Sequence, residues 1–158
     1  EYFYDSDGKN PQSTANLLPT QALNNLPETG LRNGAQQAQW YLAIFSGAYT
    51  PVAGVSAATF ASAATEITSA SEGYTEATRR PWTSAAASGG VTDNVADRAA
   101  FTIASANEVV IRGAALLSDP VKGGTNGVLV SIARFARPRT ESGGNIFNLG
   151  YRVRLRPE

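Results

Sequence analysis

The sequence predicts an all-β, mainly antiparallel fold. It reads as a β-sandwich or jelly-roll-like single domain over 15–158, with one or two short helices near 15–37 and an extended N-terminal arm over 1–14. Three observations carry this. Apolar and polar residues alternate with period two through the C-terminal half, as strands with one covered face require. Clusters of Gly, Pro, Asn and Asp separate the alternating runs at spacings suited to antiparallel connections. No strand–helix–strand pattern of the kind that builds a parallel sheet competes with them.

Residues 1–14 (EYFYDSDGKNPQST) mix three aromatics with Asp, Gly and Pro and show neither period. Ala15, Leu17 and Leu18 have helical spacing up to Pro19. Thr20 then stands where a cap belongs, opening a helix over 21–26 that Pro27 stops. A second weak helix is expected from about Glu28 or Leu31 to Gln37. The run 39–46 (QWYLAIFS) is apolar throughout and closed by Gly47, the mark of a strand buried on both faces. Residues 50–54 are turn chemistry, and the Ala-rich stretch 55–65 predicts a short helix, weakened by Thr59 and Thr65. Residues 66–78 and 82–86 read as extended segments broken by Gly73 and Pro81, and 85–94 as a long loop.

From Ala99 onward the pattern is plainly β. Phe101 and Ile103 share one face of 99–105. In 108–118, Val109, Ile111, Gly113, Ala115 and Leu117 alternate against Glu108, Val110, Arg112 and Ala114. A turn at 118–127 is followed by a strand over 128–136 that Pro138 ends, and a second turn occupies 141–145. The last strand, 146–156, is the most regular. Phe147, Leu149, Tyr151, Val153 and Leu155 fall on one face, and Asn148, Arg152, Arg154 and Arg156 on the other.

Composition narrows the chemistry. The 158 residues include no Cys, His or Met, which removes disulfides, thiolate and imidazole metal sites, and His-based triads. No cofactor, metal site or catalytic residue is therefore expected. Only 16% of residues are charged, and 13 basic side chains balance 13 acidic ones. Low and balanced charge favours association, so the surface reads as one built to be covered. The balance joins two unlike halves: residues 1–78 carry seven acids and two bases, net −5, and residues 79–158 carry six acids and eleven bases, net +5. Copies can therefore dock head to tail, or an arm can reach a neighbour; equally, the halves can pair within one domain. No apolar run approaches the roughly 18 residues that span a bilayer, and no membrane role is expected.

The candidate surfaces are few. Arg152, Arg154 and Arg156 stand ~7 Å apart along one strand face, close to the phosphate spacing of a stretched single strand. The aromatics of that strand face the other way and the chain is neutral, so direct nucleic-acid binding is not expected. A partner-facing strand, with Arg chosen to pair with carboxylates, fits better. Glu72 with Glu76, or Asp93 with Asp97, are the remaining acid–base candidates, with no visible means of raising either pKa. Ser88-Gly89-Gly90 and Lys122-Gly123-Gly124-Thr125 are turns that miss the phosphate-loop spacing. Trp40, Tyr41, Phe45, Tyr74 and Trp82 are core candidates first and sugar-site candidates second.

A series of short motifs is familiar. Residues 40–47 (WYLAIFSG), 73–79 (GYTEATR) with Pro81-Trp82-Thr83, Asp93-Asn94, 101–103 (FTI), 112–118 (RGAALLS), 122–129 (KGGTNGVL), Ala133-Arg134-Phe135, Pro138-Arg139 and 149–155 (LGYRVRL) occur in order. Together they resemble a group of small tailed-bacteriophage virion proteins. The resemblance implies a capsid cement, or decoration, protein with a jelly-roll-like fold. Such a protein sits on the outer surface of the head, binds the major capsid protein at joins between its subunits, and self-associates as a dimer or trimer. Two departures stand out: Gly143-Gly144-Asn145 replaces the family's Gly-Asp before the last strand, and Arg152 and Arg154 stand where Thr is expected. On this reading the contact surfaces are the arm (Tyr2, Phe3, Tyr4) and the basic strand face (Arg152, Arg154, Arg156). The alternatives are a tail, baseplate or head–tail joining protein, and a carbohydrate-binding module using Trp40 or Trp82.

Overall fold

The computed structural model describes residues 15–104 and 107–155. They form a mostly β structure with antiparallel sheets and two short helices. The elements are α1 (Thr20–Leu31), β1 (Tyr41–Phe45), α2 (Ala57–Ala64), β2 (Arg80–Pro81), β3 (Val91–Asp93), β4 (Ala99–Thr102), β5 (Val109–Leu117), β6 (Leu129–Glu141), β7 (Ile146–Leu149) and β8 (Arg152–Arg154). The main sheet has strand order β2-β1-β5-β6, and the pairs β3-β8 and β4-β7 form two smaller sheets.

β1 is buried on both faces, as its unbroken apolar run requires. Leu42 and Ile44 enter one core while Ala43 and Phe45 enter another on the opposite side of the sheet. The second core lies under α2 and includes Ala57, Phe60, Ala64, Ala115 and Leu117. The first takes in the β4-β7 pair and is rich in aromatics: Tyr74, Trp82, Phe101, Phe135, Phe147 and Tyr151.

α2 uses both threonines that weaken it on propensity alone. Thr59 Oγ1 accepts the Ser56 N–H at 3.1 Å at the start, and Thr65 takes a left-handed φ of 56° to end it. α1 departs from expectation. It is one helix instead of two, Thr20 is its first residue, and Pro27 lies inside it. Proline costs the hydrogen bond to the carbonyl four residues back, at Leu23, on the solvent-exposed side where water can solvate that group. The helix closes beyond Leu31, where Asn33 adopts φ 55° and the Gly34 N–H bonds Glu28 O at 2.9 Å. Leu17, expected in a helix, instead pairs antiparallel with Ile132 on β6.

Pro138 does not end β6 either. The ladder with β5 pairs Ile111 with Arg139 and then Gly113 with Arg134, so residues 135–138 bulge opposite Arg112. Pro138 sits in that bulge, where its missing N–H is not needed. The same bulge changes the phase of β5: Val109 and Ile111 share a core with Ala114 and Leu116, and the simple alternation read from the sequence fails past Arg112. The expected long loop at 85–94 contains β3, while 66–78 is largely turns rather than an extended segment.

The last strand is two strands. Phe147, Leu149 and Tyr151 are all buried as predicted, but β7 pairs with β4 and β8 with β3. Asn94 holds the break: its Oδ1 accepts the Tyr151 N–H at 2.6 Å and its Nδ2 donates to Leu149 O at 3.2 Å. One buried amide thus replaces the missing strand partner at the kink.

Candidate functional site

The polar side chains nearest to chemistry are turned inward. Arg79 and Glu66 form an ion pair whose side chains are 0% exposed. Arg79 Nε donates to Glu66 Oε1 at 2.8 Å and Nη2 to Oε2 at 2.7 Å. The remaining guanidinium donors reach Asp119 O at 3.0 Å and Gly124 O at 3.1 Å, while the Gly123 N–H donates to Glu66 Oε2 at 3.0 Å. The end of α2 and the loop over 66–79 are thereby fastened to the turn over 118–127. A buried pair is tolerable only when so fully bonded. Sequence reading missed this pair; the one signal was two charges set among apolar neighbours beside turn residues.

Lys122 lies next to it. Its Nζ donates to Tyr74 O at 2.8 Å and stands 3.6 Å from the centre of the Tyr74 ring. Burial pulls the Lys122 pKa below its ordinary value, against the opposing pull of Glu76 and Glu66. Burial, with Glu66 adding to it, raises the Tyr74 pKa well above the usual phenol range. The Tyr74 hydroxyl is buried and makes no hydrogen bond.

The carboxylate pairs proposed for acid–base work are committed elsewhere. Glu76 accepts the Thr102 N–H at 3.2 Å and its hydroxyl at 2.9 Å, while Glu72 is exposed. Asp93 takes the Val95 N–H on Oδ1 at 3.1 Å and Arg152 on Oδ2. Burial alone would raise the Asp93 pKa; the Val95 and Arg152 hydrogen bonds and the guanidinium charge outweigh it and hold the carboxyl below its usual value.

That pairing also breaks the proposed basic face. Asp93 and Arg152 are register partners in the β3-β8 ladder, bridged at 2.8 Å and half-buried. Arg154 remains exposed. Arg156, and the arm residues Tyr2, Phe3 and Tyr4, lie outside the described residues.

Of the aromatic candidates, Phe45 and Tyr74 are core residues. Trp40 and Trp82 meet in an apolar cleft of about 260 Å³, with Leu26, Val91, Val130, Val153 and Leu155 among its walls. Trp82 Nε1 already donates to Tyr151 O at 3.2 Å, and the Thr92 hydroxyl to Ala85 O at 2.9 Å. The lining thus offers a sugar's hydroxyls little to bond. Beside the cleft, α1 turns Leu23, Pro27 and Leu31 outward at i, i+4 and i+8. Leu31 is 84% exposed and Leu23 56%.

No helix among the described residues is long and apolar enough to cross a membrane. No protein-family model matches the chain, and no curated protein matches it.

Proposed function

We propose that this protein is a structural virion component of the capsid-cement type, a sandwich- or jelly-roll-like body that binds the outside of an assembled head. The observation that carries the reading is α1. A helix that already buries Ala22 against the body still presents Leu23, Pro27 and Leu31 to solvent, next to an apolar cleft. Apolar surface gathered in this way marks a contact with another macromolecule. The inward commitment of Glu66, Arg79, Glu76 and Asp93 leaves that contact, rather than chemistry, as the surface's work. The motif resemblance supplies the kind of partner, the major capsid protein at the joins between its subunits. Binding to the lattice and not to free subunits would turn contact energy into lattice stability by mass action.

The test is co-sedimentation with assembled heads from the protein's source, with bound copies counted. Retention in numbers comparable to the head subunits is expected. The double variant Leu23→Glu, Leu31→Glu should weaken it at least about tenfold with the unfolding midpoint unchanged, because both positions are exposed. No retention, or retention in the few copies of a ring, would reject cement, the latter in favour of a neck, tail or baseplate position.

A further inference from the structure

β6 is the outer strand of the main sheet, and beyond Ile132 no strand among the described residues pairs with its free edge. A free edge is a row of unpaired N–H and C=O groups ready to accept another strand. The pairing has already begun. Leu17 N–H donates to Ile132 O at 2.8 Å, and Ile132 N–H donates to Leu17 O at 3.0 Å. The antiparallel sense means that the chain preceding Leu17 heads along β6 toward its C-terminal half. Because Ile132 directs both polar groups to this edge, Arg134, two residues on, directs its own the same way. Ala15, Asn16 and Arg134 already line one shallow hollow.

Charge agrees with direction. The C-terminal half of β6 carries Arg134, Arg137 and Arg139. Residues 1–14 hold three acids (Glu1, Asp5, Asp7) against one base (Lys9), a net of −2. Reach is sufficient: ten extended residues from Leu17 to Asp7 cover about 33 Å, against about 23 Å for the seven steps from Ile132 to Arg139. Pro11 is no obstacle on an edge, where its missing N–H can face solvent.

We propose that the acidic N-terminal segment of this chain adds to the basic edge of its own β6 as a further antiparallel strand, continuing the Leu17–Ile132 pairing, with Asp5 and Asp7 answering Arg137 and Arg139. The chain's own segment is the occupant because its root is already fixed at Leu17, so the entropy of bringing the two strands together is largely spent. This is strand addition by main-chain hydrogen bonds, with charge selecting the partner. It stands independently of the virion reading.

Amide hydrogen exchange tests it, comparing the full chain with a chain lacking residues 1–14. The Arg134 amide and the peptide over 134–141 should exchange at least about tenfold faster after truncation. The amides of β1 should keep their protection in both chains, showing that the body is folded. The full-length double variant Asp5→Lys, Asp7→Lys keeps every backbone group and should lose a measurable part of the same protection. Equal exchange at β6 in all three proteins overturns the proposal. Protection that fades on dilution, in step with the dissociation of an oligomer, also overturns it, since the added strand would then belong to a neighbour.

Discussion

The two faces of the main sheet are covered in opposite ways. Under α2, alanines 43, 57, 64 and 115 form most of the contact, with Phe45 and Phe60 meeting edge to face at 6.2 Å. On the other face the layer is aromatic, with Tyr74 against Phe101 at 5.0 Å and Phe147 between Phe101 and Phe135. The difference follows from what each face must hold. Small side chains let a helix of two turns lie close to the strands. Large rings fill the wider space toward the short β4-β7 pair and secure it by area, where two four-residue strands alone would be marginal. The helix face is also where a buried charge is tolerated: Arg79 stands 5.9 Å from the Phe60 ring.

That contrast can be broken most severely at the ion pair. Arg79→Met removes one partner of a fully buried, fully bonded pair and strands the Glu66 carboxylate, with an expected loss of about 3–5 kcal/mol. Urea unfolding measures it. Adding Glu66→Gln should recover part of the loss; no recovery would mean that the bonds to Asp119 O and Gly124 O, rather than the charge, hold the turn.

A smaller effect is expected at Gly113, which lies opposite Phe45 in the ladder. A Cβ there would fall within 2.1 Å of the Phe45 ring and 2.3 Å of Ala133 O. Gly113→Ala should therefore cost about 1–3 kcal/mol through overpacking. A neutral result in the same unfolding assay would show that the helix-side core is looser than its alanines imply.

The smallest effect sharpens the comparison from the aromatic side and has the opposite sign. The Tyr74 hydroxyl is buried without a partner, so Tyr74→Phe should stabilise the fold by about 1 kcal/mol. It should also change the alkaline limb. With the folded-state pKa raised, the unfolded chain ionises first, so the Tyr74 contribution is intact below about pH 10 and is lost as pH rises above it. The variant should lose stability less steeply above that pH. Identical limbs would show that Tyr74 stays protonated equally well in both states.

Much of this was legible along the chain. The buried strand at 41–45, the helix over 57–64, the turns at 118–127 and 141–145, and the inward set Phe147, Leu149 and Tyr151 all follow from local period and turn chemistry. The errors share one cause. Pro27 and Pro138 were taken as stops because proline removes a donor, yet each falls where its donor is not required: one on an exposed helix turn, the other in a bulge. The last strand read as continuous because its alternation never breaks; only Asn94, more than fifty residues earlier, supplies the partner for a change of sheet. The basic face failed likewise. Arg152 repeats with Arg154 in sequence, but β3 brings Asp93 opposite it.

The sequence by itself determined which segments extend, which turn and which side of each strand is apolar, because those properties depend on neighbours within a few residues. It also determined the kinds of side chain on hand: no thiol, no imidazole and a neutral sum of unlike halves. Tertiary structure alone decided which charges meet, which edge of the sheet stays open and which apolar residues remain outside. Those outcomes depend on pairings across tens of residues: Glu66 with Arg79 and the 118–127 turn, Asp93 with Arg152, and Leu17 with Ile132. No local pattern specifies them, because the free energy that selects each pair is realised only when the intervening chain has folded.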